Sequence, residues 1–253
     1  MCTTRWIHKE IKLRYNKLNS NHKRSLPSPY IDDIIKKSTF DYIDLFATGN
    51  NLKKFKVGFE VTQQRMDMLS TLVVPEETLD GTLFNDDIGI YEFKLKNLTN
   101  KYFHKVRVFY YDKVCNKIVP ITIVTHDELD NILRSDLDKP SKKWDRLIAK
   151  FATDSDTSTE SSLYVYTNKE FELSSITIEY IRCPAKAFVG GYDTLEYLEG
   201  DEDAPNQTSA VVNPDIPDKY CDVLVSICVQ NLARILYDKA QLEFTNEDLL
   251  SKI

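Results

Sequence analysis

Val212-Asn213-Pro214-Asp215-Ile216-Pro217-Asp218-Lys219-Tyr220 leads into CDVLVSICVQNLARILYDKAQLEF, residues Cys221–Phe244. Two prolines punctuate the approach, and the residues behind them are apolar at helical spacing. Pro217 stiffens the entry to a helix. Asp218 stands near its N-terminus, where the dipole favours an acid. A helix this apolar on so polar a chain needs cover. Leu224, Ile227, Val229 and Leu232 are the residues to be covered, by distant parts of the chain or by another copy of it.

The rest of the chain is read against that helix. Ser28 before Pro29 has the chemistry of a helix start. Tyr30, Ile31, Ile34, Ile35, Phe40, Ile43, Leu45 and Phe46 then mark an amphipathic helix, which Gly49-Asn50-Asn51 closes. Residues 5–19 carry a weaker helical pattern through Trp6, Leu13, Tyr15 and Leu18. Residues 57–74 are mixed, and a short helix over 61–72 is expected before Pro75.

From Ile88 to Ile123 the period turns to two. YEFKLKNL and KVRVFYYDKV alternate as half-buried strands do, with a turn over 97–102 between them. Thr125 and Glu128 match a capping box that opens a short helix over 127–134, ended before Pro140. Strands are expected over 144–151, 163–167 and 175–182, the last through alternating Ile176, Ile178 and Tyr180. The Ser/Thr/Asp-rich run 153–162 reads as an exposed loop.

Helices at both ends of a strand-rich middle predict an α+β fold. The expected architecture is a helical bundle formed by the N- and C-terminal helices, with a central β-rich insertion. Its parts are an N-terminal helical region (1–75), the β-rich insertion (76–190), and a loop with the closing helix that completes the helical core (191–253).

Composition narrows the function classes. With 253 residues, 42% of them hydrophobic and 28% charged, the chain can bury a sizeable core in one large domain or two small ones. Seven glycines leave little material for a phosphate-cradling loop. No run approaches the roughly 20 apolar residues of a membrane span, so no membrane partner is expected. The N-terminus lacks the apolar stretch of a secretory signal.

Five cysteines, an odd number without any CxxC, do not indicate a zinc ribbon or a thioredoxin-type site. Cys221 and Cys228 fall two turns apart on one helix, roughly 10 Å by the helical rise, too far to bond each other. They read as small buried hydrophobes in a reducing compartment.

Charge is unevenly spread. Residues 1–56 hold 12 Lys and Arg against 5 Asp and Glu, a net of +7, which leaves −13 for the remainder of a chain at −6. Such asymmetry marks an assembly axis, a face towards nucleic acid, or a solvated helix face. The N-terminal basic residues come without a nucleic-acid motif. The acidic run Glu199–Asp203 lacks EF-hand spacing and reads as an exposed loop.

Catalysis has few candidates. Of His8, His22, His104 and His126, the last sits inside the capping box, and His104 has no acid at a ligand spacing. Asp32 and Asp33 are adjacent on a helix, so their side chains diverge by about 100° and do not converge on a metal. Zincin, P-loop, nucleophile-elbow and dinucleotide motifs are absent. No catalytic, cofactor-binding or metal-binding residue is named, no cofactor is expected, and the chain reads as a non-enzyme.

Four segments carry a resemblance. They are SPYIDDIIKKSTFDYIDLF (28–46), ITIVTHDELDNILRSDLDKPSKKWDRL (121–147), SSITIEYIRCPAKAFV (174–189) and PDIPDKYCDVLVSICVQNLARIL (214–236). In this order they resemble the ring proteins that crAss-like podovirus phages place between portal and tail, as head-to-tail connectors or adaptors. Together they cover about half the chain.

The resemblance implies a structural virion protein. It would form a closed ring, commonly of twelve copies, below the portal and around the DNA channel. The helical core would face ring neighbours, and β-elements and loops would dock the next tail layer. Its partners would be further copies of itself, the portal protein, adjacent tail or ring proteins, and genomic DNA that passes without sequence-specific binding. Its place would be the neck or tail of the virion, and the host cytoplasm during assembly. An acidic lumen, with Asp201, Glu202 and Asp203 as candidates, would repel phosphate and let DNA slide. The alternatives are a soluble phage-encoded interaction protein and, behind it, an enzyme acting on nucleic acid.

Overall fold

The computed structural model describes residues 2–18, 26–47, 66–112, 115–153, 161–190 and 211–235. The chain is mixed α and β and divides into two compact units. One combines residues 1–72 with 184–253, and the other is the contiguous stretch 73–183.

The first unit is helical. Its elements are α1 (Thr4–Leu18), α2 (Ser28–Ala47) and α4 (Cys221–Ile235), the last entered through a 3₁₀ turn at Asp218–Tyr220. α4 lies against both α1 and α2. Apart from Asp222, Arg234 and Ile235, every residue of α4 is buried. A helix covered on all sides is an interior helix, and each Leu or Ile it buries contributes about 1.5–3 kcal/mol. Leu224, Ile227, Val229 and Leu232 therefore belong to the core of their own unit.

Polar groups on α4 are matched across the core. Asn231 donates to Ser38 Oγ at 2.9 Å and to Asp41 Oδ2 at 2.7 Å. Arg14 reaches Asp222 and, at 3.1 Å, Ser226 Oγ. Cys228 is fully buried, and desolvation pushes its thiol up to about 12.

Cys221 corrects the sequence reading. It is not a free hydrophobe but half of a disulfide with Cys2, with Cα atoms 5.8 Å apart. The Cys2 amide donates to Asp218 Oδ1, the Thr4 amide to Asn213 Oδ1, and Thr4 Oγ1 to the Val212 carbonyl. The start of α1 is thus tied to the approach of α4. The partner lies 219 residues away, beyond the reach of any spacing rule.

The second unit is built on eight strands: β1 (Val73–Asp80), β2 (Thr82–Asn85), β3 (Ile90–Lys94), β4 (Tyr102–Asp112), β5 (Lys117–Ile123), β6 (Leu147–Thr153), β7 (Ser161–Tyr166) and β8 (Ser175–Arg182). They run in the order β1-β8-β4-β5-β6-β7-β3-β2. Two strands turn corners. β5 pairs with β4 through Lys117–Pro120 and then, in parallel, with β6 through Ile121–Ile123. Pro120, which cannot donate, ends its first ladder. β1 and β2 are one run bent at Gly81, the first half on β8 and the second on β3.

Gly81 is required by packing. A Cβ there would lie 2.3 Å from Phe93 Cε1, so the aromatic ring occupies the space that any side chain would need. Phe93 in turn joins Leu79, Val108, Leu163, Ile178 and Tyr180 in a core between the two halves of the sheet. α3 (His126–Arg134) makes the crossover between parallel β5 and β6, as such pairs need. It sets Leu129 against Ile148, Tyr164 and Tyr166 on the other face of β6 and β7.

Several expectations shift. Of the helix expected over 61–72, residues 66–69 are helical, 70–72 form a turn and 61–65 fall outside the described residues, and Val73–Asp80 and Thr82–Asn85 are strand. Pro75 does not break the chain. It sits at a register shift on an end strand, where its missing N–H is tolerated. YEFKLKNL is strand only to Lys94, and then a 3₁₀ turn. Thr125 caps α3 by backbone position, without a side-chain hydrogen bond, so the capping box does not form. The strand expected from Trp144 begins at Leu147. The turn 49–51 and the acidic run 199–203 lie outside the described residues.

Candidate interaction surface

Chemistry converges poorly in either unit. His8 Nε2 meets Asp32 Oδ1 at 2.6 Å in the helical core, and Asp32 Oδ2 accepts from the Val189 amide. This buried pair links α1 to α2. Asp33 points away and is exposed, with burial raising its carboxyl. A cleft of about 400 Å³ beside α2 and α4 holds Asp41 and Asn231, which already bond each other. His104 stacks edge-on to Phe103, and His126 is exposed. Among the described residues no group of three or more His, Cys, Asp or Glu can hold a metal ion.

In the β-unit, Tyr180 Oη donates to Glu77 Oε2 at 2.8 Å, and Thr99 donates to Glu77 Oε1 through both its amide and its hydroxyl. Burial acts against the Glu77 charge, but those donors hold its carboxyl below the ordinary value of 4.5. Burial and the Glu77 bond push Tyr180 up to about 12. The network braces β1 against β8 and the turn before β4.

The unusual feature is a cluster of turns in the same unit. Hydrogen bonds tie four of them together. Thr167 N donates to Gly89 O at 3.0 Å, linking the β2–β3 turn to the end of β7. The Lys142 amide donates to Glu170, linking that end to the turn before β6. Lys117 Nζ meets Asp145 Oδ2 at 3.0 Å, adding the β4–β5 hairpin. Arg146 donates to the Leu137 carbonyl and to Asp138, bringing in the segment after α3.

Backbone strain gathers in the same place. Among the described residues the non-glycine left-handed positions are Asn116, Asp145, Asn168 and Lys169, with φ of 52°, 48°, 52° and 60°. All four lie in these turns. Asn and Asp tolerate this region, whereas Lys169 does so at a cost. Gly89, at φ 70°, is also crowded, because a Cβ would meet Thr167 Oγ1 at 2.6 Å.

These braced turns present apolar side chains outward. Leu137 is 79% exposed and Trp144 64%, the highest values among large hydrophobic residues in the described part. Ile88, Leu83 and Phe84 are about half exposed on the β2–β3 hairpin, and Ile118 on the β4–β5 hairpin. A turn held in shape by several bonds, with Trp and Leu facing water, is composed like a docking surface. In the sequence Trp144 stands as the start of an expected strand and within a resemblance segment, not as a surface residue. The hydrogen-bonded assembly of four distant turns has no signature in sequence order.

No protein-family model matches the chain, and no curated protein matches it. Among the described residues no helix is long and apolar enough to cross a membrane.

Proposed function

We propose that the chain is a structural virion subunit, a ring protein of the head-to-tail connector of a crAss-like podovirus phage. It joins head to tail and surrounds the DNA channel. Its architecture in this reading is a helical bundle interrupted by the β-rich insertion, whose ends meet at Leu72–Val73 and Cys183–Pro184. The partners are further copies of the chain, the portal protein and the adjacent tail proteins, with DNA passing through unread.

The observation that carries the reading is the braced cluster of turns with Leu137 and Trp144 outward. Keeping such side chains in water serves a protein that is covered by neighbours in its working state. The four ordered sequence resemblances supply the identity of that working state. α4 is consumed by its own unit, so contact with neighbours falls to other surfaces, and the turn cluster is the best described of them.

Native mass spectrometry of the purified chain tests this. A closed ring is expected, at a whole multiple of 29.3 kDa and near twelve copies. A monomer at every concentration would count against the ring. The second reading, a soluble interaction protein that docks a partner through the same turns, predicts that monomer and no copies in the virion.

A further inference from the structure

The cluster of turns is not uniform in charge. On one side Trp144 and Leu137 are accompanied by Lys142 and Lys143, both exposed. The acids nearby are already engaged: Asp136 with Lys139, Asp138 with Arg146, Asp145 with Lys117, and Glu170 with the Lys142 amide. Lys142 and Lys143 have no carboxylate partner among the described residues. This half is therefore apolar and basic. On the other side, the β2–β3 hairpin carries Leu83, Phe84 and Ile88 with Asp86 and Asp87, all exposed. The Asp86 and Asp87 carboxylates have no cation partner among the described residues. This half is apolar and acidic. Lys169 belongs to the turn between them.

We propose that the two halves are the two sides of one contact between copies of this chain: Trp144, Leu137, Lys142 and Lys143 of one copy seat on Asp86, Asp87, Ile88 and Phe84 of the next. The occupant is chosen by complementarity. A partner for the basic half must bring an apolar surface with carboxylates, and the hairpin of a second copy has that composition. A closed cyclic assembly needs two different patches on each subunit that fit each other. Opposite charges around apolar anchors set register and speed encounter, while Trp144 and Phe84 supply the buried area. Left-handed turns at Asp145 and Lys169 hold the anchors in place before contact, which lowers the ordering cost of association. The inference rests on the ring reading above and adds which surfaces meet.

Charge exchange tests it on the full-length chain. Lys142→Glu with Lys143→Glu makes both halves acidic, and Asp86→Lys with Asp87→Lys makes both basic. All four positions are exposed, so each double variant should keep the wild-type circular dichroism and melting temperature. Each alone should lose at least nine-tenths of the assembled mass. An equimolar mixture of the two, or the quadruple variant, should regain it. Zero-length carbodiimide coupling of wild type should join Lys142 or Lys143 to Asp86 or Asp87 between isotopically distinct copies.

Double variants that assemble like wild type would overturn the contact and leave the ring standing. Loss in the double variants without recovery in the mixture or the quadruple variant would overturn it as well. A two-copy species carrying the intermolecular cross-link would keep the contact and overturn the ring.

Discussion

α4 of the helical unit and the turns of the β-unit handle apolar surface in opposite ways. In the helical unit α4 is buried on nearly every side, and its few polar groups meet partners from α1 and α2. In the β-unit a core is buried between the sheet halves, yet one set of turns holds Trp144 and Leu137 in water. Those turns are also where the left-handed residues gather. In the proposed reading, cover of α4 and exposure on the braced turns separate a part that maintains the fold from a part that meets other molecules.

If that separation is right, substitutions in α4 should act on stability and substitutions in the turns on association. The largest effect is expected from Leu224→Ala. Leu224 is 0% exposed, and a cavity there should cost about 2–5 kcal/mol. Chemical denaturation would read it as a lower midpoint for the helical unit. A Leu224 variant as stable as wild type would remove α4 from the core and break the comparison.

Cys2→Ser should follow, at about 2–4 kcal/mol, because it opens a covalent loop of more than 200 residues. Reductant should lower the wild-type melting temperature towards that of the variant and leave the variant itself unchanged. Gly81→Ala should cost the β-unit about 1–3 kcal/mol, since the new methyl displaces the Phe93 ring. An unchanged melting temperature there would mean that the corner relaxes freely.

A smaller, pH-dependent effect belongs to Glu77. Its carboxyl is held below 4.5 in the folded unit, so its contribution is complete above that value. The contribution is lost as pH falls through the lower folded value. Glu77→Gln should therefore lower the β-unit's stability at neutral pH, converge with wild type as Glu77 protonates, and flatten the acid limb of the stability curve. The smallest stability effect, within about 0.5 kcal/mol, is expected for Trp144→Ala. The same variant should nevertheless reduce assembly, and that contrast sharpens the comparison most.

The sequence showed these two behaviours unequally. α2, β8 and the start of α4 were legible because their periodicity is local: Ile31, Ile34 and Ile35 on one face, Ile176, Ile178 and Tyr180 on another, and Pro217 before a helix. β1 and β2 were not, because Val73–Asn85 is a half-exposed end strand containing Pro75, and its bend at Gly81 depends on a ring twelve residues away. The His8–Asp32 pair and the Cys2–Cys221 bond join residues that only the tertiary fold brings together. The turn cluster was hidden for the same reason. Its parts are ordinary turns, and its character comes from hydrogen bonds between them.

The central claim concerns where the chain works. Cryo-electron microscopy of purified particles, with the chain's density fitted by its two units, addresses it directly. The account predicts a closed ring of copies in the neck between portal and tail, with the Trp144 turns buried against neighbouring protein. Particles whose neck contains no copy of the chain, together with a purified chain that stays monomeric, would contradict it.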